Sequence, residues 1–361
     1  MAEQIDRQTA FSGTKDVAEA LQFDEAKLAA WLEANVDGFQ GPLTAKQFKG
    51  GQSNPTYRIE ARSGNYVLRR KPPGKLLPSA HAVDREYRVL DALGKQGFAV
   101  PKVYCLCEDD SVVGTPFYLM DCVDGRILWV SHMPDSNPTE RGAVFDAMNA
   151  TLAQLHSYDP QAIGLGDFGK PENYVGRQIS RWSKQYVASE TEKVEAMDRL
   201  MAWLPENLPP ENPPRVVHGD FRLDNMILHE TEPKVLAVLD WELSTLGDPV
   251  ADFTYHCMQW HMPDTGSGAG TGSLVHMDLA SLGIPTIDAY IEAYERRTGL
   301  TVGQHLDFYF AYNFFRLGAI LQGIVGRVRD GTAANENAAA MASLIHPLSD
   351  KAWWFAERAG A

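Results

Sequence analysis

The stretch VVHGDFRLDN at residues 216–225 constrains this chain more than any other. An apolar pair runs into His218, Gly219 and Asp220, and Asn225 follows after four intervening residues. Next come the short apolar run MIL, the turn-forming HETEP, and a second apolar run, KVLAVLD, ending at Asp240. This pattern predicts two short strands joined by a turn. Paired as a hairpin, the start of the first strand lies beside the end of the second, so Asn225 and Asp240 share one end, near Asp220. One carboxamide and two carboxylates are hard oxygen groups of the kind that suits Mg²⁺, which takes few protein ligands and completes its shell with substrate phosphates. Phosphoryl transfer calls for this set: one carboxylate accepts the proton of the attacking hydroxyl, while an Asn and a second carboxylate hold the metal ions that bridge the nucleotide phosphates.

Composition narrows the setting. The chain has 361 residues, 44% of them hydrophobic, which is room for two domains or one large lobed one. No run of 18 apolar residues exists, so no membrane-spanning helix is expected. The opening MAEQIDRQTAFSGTKD is polar and lacks the apolar core of a secretory signal. Cys105, Cys107, Cys122 and Cys257 form no C-x-x-C pair and suit neither a zinc site nor a disulfide framework. A soluble cytoplasmic protein with reduced thiols is the expectation. A formal net charge of -14 argues against nucleic acid or an anionic membrane as main partner. It leaves phosphorylated ligands open, because a metal ion or basic patch overrides the global sign locally. GSGAGTGS at 266–273 lacks G-x-G-x-x-G spacing and follows no strand, so it reads as a surface loop. The histidines show no H-E-x-x-H spacing, and HGDFR holds no nucleophilic Ser, so zinc and acyl-transfer chemistry find no support.

Along the chain, residues 24–36 read as an amphipathic helix, and TYRIEAR and NYVLRR as strands joined at Ser63, Gly64 and Asn65. Residues 79–95 read as a helix capped by Ser79, with Val83, Tyr87, Leu90 and Leu93 as its apolar stripe. Two apolar segments follow, VPKVYCLC and PFYLMDCV, split by the turn EDDSVVGT. The first part is therefore an α+β unit, a small antiparallel sheet with one inserted helix. After Gly125 the chain is mainly helical, with a long periodic segment beginning at Tyr174 and a Pro-rich connector at 205–215. The expected division is 1–122 and 123–361.

Taken in order, HGDFRLDN, VLDWE and GDPVADF resemble the aminoglycoside phosphotransferase and choline kinase family, and within it the kinase-like domains associated with acyl-CoA dehydrogenases. The resemblance runs from about Ala45 to the last helices. It implies the bilobal protein-kinase-like fold, with a small sheet lobe and a larger helical lobe. It also implies an ATP- and Mg²⁺-dependent kinase acting on a hydroxyl of a small molecule. Asp220 then resembles the catalytic base, Asn225 and Asp240 the metal ligands, and His218 the loop histidine beneath the base. Asp248 and Asp252 resemble the carboxylates that brace the loop; helix capping is their ordinary alternative. FKGGQSNPTY, with Gly50, Gly51, Ser53 and Asn54, resembles the loop covering the nucleotide phosphates. Glu86 resembles the helix Glu that pairs with a strand Lys. FYLMDCVDG, with Met120, Asp121 and Val123, resembles the hinge, where the backbone of Asp121 and Val123 would meet adenine.

One departure stands out. Arg69 occupies the position of the strand Lys, and Arg holds carboxylates and phosphates bidentately. The resemblance pairs Arg69 with Glu86, while strand parity turns Arg70 to the opposite face and puts Lys71 beyond the strand. Glu242 suits a third acidic ligand or a solvated strand end equally. For the acceptor, Arg177, Arg181 and Lys184 recur at i, i+4 and i+7 and share a helix face. With Arg316 and the aromatic run Tyr309, Phe310, Tyr312, Phe314 and Phe315, they suit an anionic, partly apolar alcohol such as a hydroxyacyl-CoA; a solvated stripe and a core helix are the plain alternatives. No A-P-E triplet follows Asp240, which sets protein kinases aside. No flavin-domain pattern supports a dehydrogenase in this chain, although a functional link to one is implied. The competing function is a nucleotide-binding kinase-like module without catalysis.

Overall fold

Residues 43–48, 56–61 and 64–70 form neighbouring strands of one sheet, the last buried on both faces over its final five residues. The computed structural model describes residues 12–49, 54–74, 81–264, 272–331 and 338–361. Gly50, Gly51, Ser53 and Ser79 lie outside the described residues, and with them the expected phosphate loop and helix cap. In chain order the elements are Thr14–Lys15 (β1), Glu25–Asn35 (α1), Leu43–Phe48 (β2), Thr56–Ala61 (β3), Gly64–Arg70 (β4), Val83–Gly94 (α2), Val103–Cys107 (β5), Asp110–Val113 (α3) and Phe117–Asp121 (β6). They continue with Pro138–Ser157 (α4), Tyr174–Ser189 (α5), Glu195–Glu206 (α6), Arg215–Val217 (β7), Met226–Leu228 (β8), Val235–Val238 (β9), Thr245–Gly247 (β10), Pro249–Cys257 (α7), Leu279–Leu282 (α8), Ile287–Thr298 (α9), Leu306–Arg329 (α10) and Ala338–Arg358 (α11). Two compact units emerge: Met1–Trp129 with Asn225–Ser244, and Val130–Asp224 with Thr245–Ala361.

The first unit is a six-stranded antiparallel sheet in the order β1-β2-β3-β4-β6-β5. One face of it buries Tyr57, Ile59, Tyr66, Leu68, Phe117 and Leu119 against Leu28 and Leu32 of α1 and Val112 and Val113 of α3. Arg70 belongs to this face and is buried. Its guanidinium donates to the Tyr57 hydroxyl (3.0 Å) and to the carbonyls of Val113 (2.5 Å) and Leu21 (2.7 Å). It also lies 5.3 Å from the ring centroids of Phe23 and Tyr57. On the other face Val67 and Arg69 stand opposite Met120 and Tyr118 of β6. There α2 buries Val83, Glu86, Val89, Leu90 and Leu93, while Tyr87 is only half-buried. The β3–β4 turn is tighter than the sequence suggested. Ala61 pairs with Gly64, so Arg62 and Ser63 alone turn the chain and Gly64 opens the strand at φ +138, a region an L side chain avoids. The segment EDDSVVGT is also more than a turn, since it holds α3, capped by Asp109 accepting from the Ser111 amide (2.8 Å).

The hairpin expected after Asn225 is present in this same unit. Met226 pairs with Val238 and Ile227 with Ala237. The Val238 amide donates to the Ala99 carbonyl (2.8 Å), and Arg126 and Leu228 exchange backbone bonds of 2.9 Å, which sets the hairpin against the preceding chain.

The second unit is helical apart from the β7–β10 pair. The long periodic segment beginning at Tyr174 is two helices, α5 and α6, because Glu190 leaves the helical region at φ -53, ψ 127. All five residues of the aromatic run on α10 are buried, so the run is core and not the lining of an open pocket. Among the described residues no helix is long and apolar enough to cross a membrane.

Replacing Arg70 by Ala removes three hydrogen bonds and takes the guanidinium donor from the Val113 carbonyl, while Tyr57 still donates to Leu21, a loss of about 3 kcal/mol. Urea unfolding should show a lower midpoint for Arg70→Ala; an unchanged midpoint would mean these bonds add no net stability.

Candidate active site

In the first unit the strand parity that buries Leu68 and Arg70 presents Arg69 to α2. Arg69 Nε lies 2.8 Å from Glu86 Oε2, and its Nη2 lies 2.7 Å from Asp240 Oδ1 and 3.7 Å from Glu242 Oε2. Glu86 is fully enclosed: Oε1 accepts from Asn54 Nδ2 (2.7 Å) and Oε2 from the Tyr118 hydroxyl (3.0 Å). Burial lifts the Glu86 carboxyl above its ordinary range, and Arg69, Tyr118 and Asn54 oppose that shift by stabilising the anion. Burial also works against the charge of Arg69, but Glu86 and Asp240 outweigh it, and the guanidinium holds its proton more tightly than usual. Asn54, expected at the phosphates, here directs its side chain to Glu86 and, through Oδ1, to His81 Nδ1 (2.9 Å). Tyr118 was not among the sequence candidates. Its signal is the Arg69–Tyr118 register, which is legible only once β4 is known to pair with β6.

The hairpin brings Asn225 and Asp240 to one end. The Leu239 amide donates to the Asn225 carbonyl (2.8 Å), one step past the Met226–Val238 pair. Asp240 has left-handed backbone, φ 64 and ψ 64, a region that costs a non-glycine residue energy and persists where surrounding contacts enforce it. Three carboxylates, Glu86, Asp240 and Glu242, thus surround one guanidinium. With all three ionised, the cluster carries two negative charges in excess. That excess, and the hard oxygens of Asp240 and Asn225, fit a divalent cation that takes only one or two protein carboxylates.

Of the expected hinge residues, Met120 is buried in β6 and Val123 is half-buried just beyond it. The Asp121 amide donates to the Lys102 carbonyl (2.8 Å), and its carboxylate accepts from the Tyr104 hydroxyl. Any adenine contact from Asp121 therefore falls to its carbonyl.

In the second unit the loop after β7 hangs on one carboxylate. Asp252 Oδ2 accepts from the His218 amide (2.7 Å) and Oδ1 from the Gly219 amide (2.8 Å). Gly219 sits at φ +85, where the missing Cβ lets two successive amides reach the same side chain. His156 Nε2 lies 3.2 Å from Asp252 Oδ2. Burial would raise the Asp252 carboxyl, but His156 and His218 prevail and hold it below the usual range. His218 is buried, and its Nδ1 accepts from the Asp220 amide (3.2 Å). Asp220 Oδ1 accepts from the Tyr255 hydroxyl (2.7 Å) and lies 3.3 Å from Arg222 Nε. The two aspartates of the GDPVADF stretch divide their work. Asp248 caps α7 by accepting from the Val250 amide (2.8 Å), while Asp252 braces the loop.

The expected acceptor cations separate. Arg177 and Arg181 line a shallow surface depression with Lys184, Asn173, Ser180 and Gln185. Arg177 donates to the Lys170 carbonyl (2.6 Å), and Arg181 rests on the Trp182 ring. Arg316 is buried instead, donating to the Gly219 carbonyl (2.8 Å).

Residues 44–308 match the model of a phosphotransferase enzyme family. A crystal structure described as a putative aminoglycoside phosphotransferase from Ralstonia eutropha JMP134 is 49% identical, with a TM-score of 0.85 over 93% of this chain and 99% of that one. Spectinomycin phosphotransferase, solved in complex with ADP and spectinomycin, shares the fold at a TM-score of 0.61 and 11% identity, over 92% of this chain and 98% of that one. Acyl-CoA dehydrogenase family member 10 of Mus musculus is 46% identical over 348 residues, 96% of this chain but 32% of that protein. The chain thus spans about a third of that curated relative.

Burial also pulls His256 down to about 4, only partly opposed by the Phe221 carbonyl its Nδ1 meets at 3.2 Å. Unfolding returns it to an ordinary value of roughly 6.5, so the unfolded chain binds the extra proton. The stability from neutral His256 is therefore complete above pH ~6.5 and falls as pH drops toward 4, by up to about 3 kcal/mol. Urea unfolding at pH 7 and pH 4.5 should show a smaller pH-dependent loss in His256→Gln than in the wild type.

Proposed function

This chain belongs to the phosphotransferase enzyme family, and on that premise we propose that it is an ATP- and Mg²⁺-dependent kinase that moves the γ-phosphoryl group to a hydroxyl of an acidic, partly apolar small molecule, of which a hydroxyacyl-CoA is one. The observation that carries the proposal is the sharing of one guanidinium, that of Arg69, by Glu86, Asp240 and Glu242. Glu86 holds Arg69 in place, and Arg69 offers its remaining donor capacity to phosphate oxygens. Asn225 and Asp240 would hold the metal, which when bound neutralises charge on the transferring phosphoryl group. Met120, the Asp121 carbonyl and the Val123 amide would receive the base of the nucleotide, and Gly50, Gly51 and Ser53 would cover its phosphates.

Asp220 accepts the proton of the attacking hydroxyl on its carboxylate and orients that hydroxyl for transfer. His218 and Asp252 keep the loop in the shape that presents Asp220. The acceptor class follows from charge. A multi-amine acceptor calls for carboxylates on its side, whereas Arg177, Arg181 and Lys184 gather on one exposed face. Relatives named acyl-CoA dehydrogenase family members point the same way by association, and a functional link to such an enzyme is part of the proposal.

Asp220→Asn should lower kcat by about a thousandfold with little change in nucleotide affinity, measured by coupled ATP turnover and nucleotide titration. Near-normal turnover would remove Asp220 from the role of base and favour a nucleotide-binding module without catalysis.

Arg69→Ala should weaken ATP binding by about tenfold or more, because a charged donor to phosphate is lost and Glu86 is left buried without its cation. In a side-by-side assay of aminoglycosides, choline and hydroxyacyl-CoA thioesters, turnover is expected with the thioesters. Efficient turnover of a cationic substrate with none of the thioesters would sink the acceptor assignment.

A further inference from the structure

Tyr255 lies on α7, thirty-five residues beyond Asp220, and no part of the loop motif requires it. Yet its hydroxyl donates to Asp220 Oδ1 at 2.7 Å. The Arg316 guanidinium stands 4.9 Å from the Tyr255 ring centroid. The same guanidinium donates through Nη2 to the carbonyl of Gly219, the residue before Asp220, at 2.8 Å. Two side chains, one from α7 and one from α10, thus close on one peptide and its carboxylate.

We propose that Tyr255 is a positioning residue that sets the orientation of Asp220, and that Arg316 acts through it; this rests on Asp220 being the base. A hydroxyl donating to a carboxylate makes a charge-assisted bond, which stabilises the ionised acid and restrains its rotation. Tyr255 suits that task because burial and the neighbouring Asp220 hold its proton on, so it stays a donor. The cation above the ring draws on its π electrons and sharpens the O–H as a donor. Arg222, also near Oδ1, lies 3.2 Å from Asp224 Oδ2 as well, so its charge is divided between two carboxylates. The groups facing Asp220 include Arg222 and His218 from the loop, Tyr255 from α7 and Arg316 from α10. The burial of Arg316 behind the loop accounts for its separation from the exposed basic face of α5.

The test uses the full chain and Tyr255→Phe, which keeps the ring under Arg316 and removes only the hydroxyl. The Asp220 carboxyl is followed by ¹³C NMR, its resonance assigned as the one absent from Asp220→Asn. Loss of the donor should move that resonance at pH 7, because the carboxylate loses a hydrogen bond at Oδ1. Turnover should fall about tenfold to a hundredfold while the nucleotide KM stays at its wild-type value, which separates positioning from a damaged fold. An Asp220 resonance unmoved in Tyr255→Phe overturns the proposal. If the wild type phosphorylates none of the acceptors tried, the kinase assignment fails, and the carboxyl resonance still decides whether Tyr255 orients Asp220.

Discussion

The first unit depends on the shared guanidinium of Arg69. A buried charge is tolerated only when paired and hydrogen-bonded, and here the pairing ties three separate pieces of chain together: β4, the helix α2 and the end of the β8–β9 hairpin. Removing Arg69 leaves the enclosed Glu86 as an uncompensated buried charge, while Asp240 and Glu242 remain partly open to water. A lysine in the same place would act as a point charge on a flexible stem. The planar fork of Arg lets Nε face Glu86 while Nη2 faces Asp240, which fixes both partners at once. The departure from the expected lysine thus has a geometric consequence: the helix and the hairpin are registered through a single rigid group.

The second unit solves a related problem with the signs reversed. There a single buried carboxylate, Asp252, gathers two successive amides and a histidine. The loop 218–220 has no strand or helix to define it, so its backbone donors need side-chain partners. Gly219 supplies the conformation, Asp252 the acceptor, and Arg316 the donor for the Gly219 carbonyl. The polar groups around the loop are therefore structural in the first instance, and they present Asp220 by leaving its backbone few alternatives.

What the sequence made legible follows the range of the interactions. The β8–β9 hairpin was readable because its pairing is local and a turn separates two apolar runs. The Arg69–Glu86 pair was readable through the family resemblance, since Glu86 alone reads as an ordinary helical Glu. The β3–β4 turn was placed a residue late, because Gly64 was taken as a turn residue when it opens a strand. Tyr118 and Tyr255 were not visible, since each reaches its partner through a contact between segments distant in the chain. Arg316 and the aromatic run on α10 show the other limit: sequence gives charge and apolarity, but burial depends on what packs against them.

Asp240 joins these strands of argument. Left-handed backbone is the natural place for glycine, and an Asp there costs free energy that glycine would not. The position is held because its side chain is needed: the carboxylate meets Arg69, and Glu242 two residues on stands near the same guanidinium. The strain is offset by the hairpin bond from Leu239 to Asn225 and by the ion pair itself. The carboxylate of Asp240 thus belongs to the same arrangement that fixes β4 and α2, and its left-handed backbone follows from those contacts and not from a local preference.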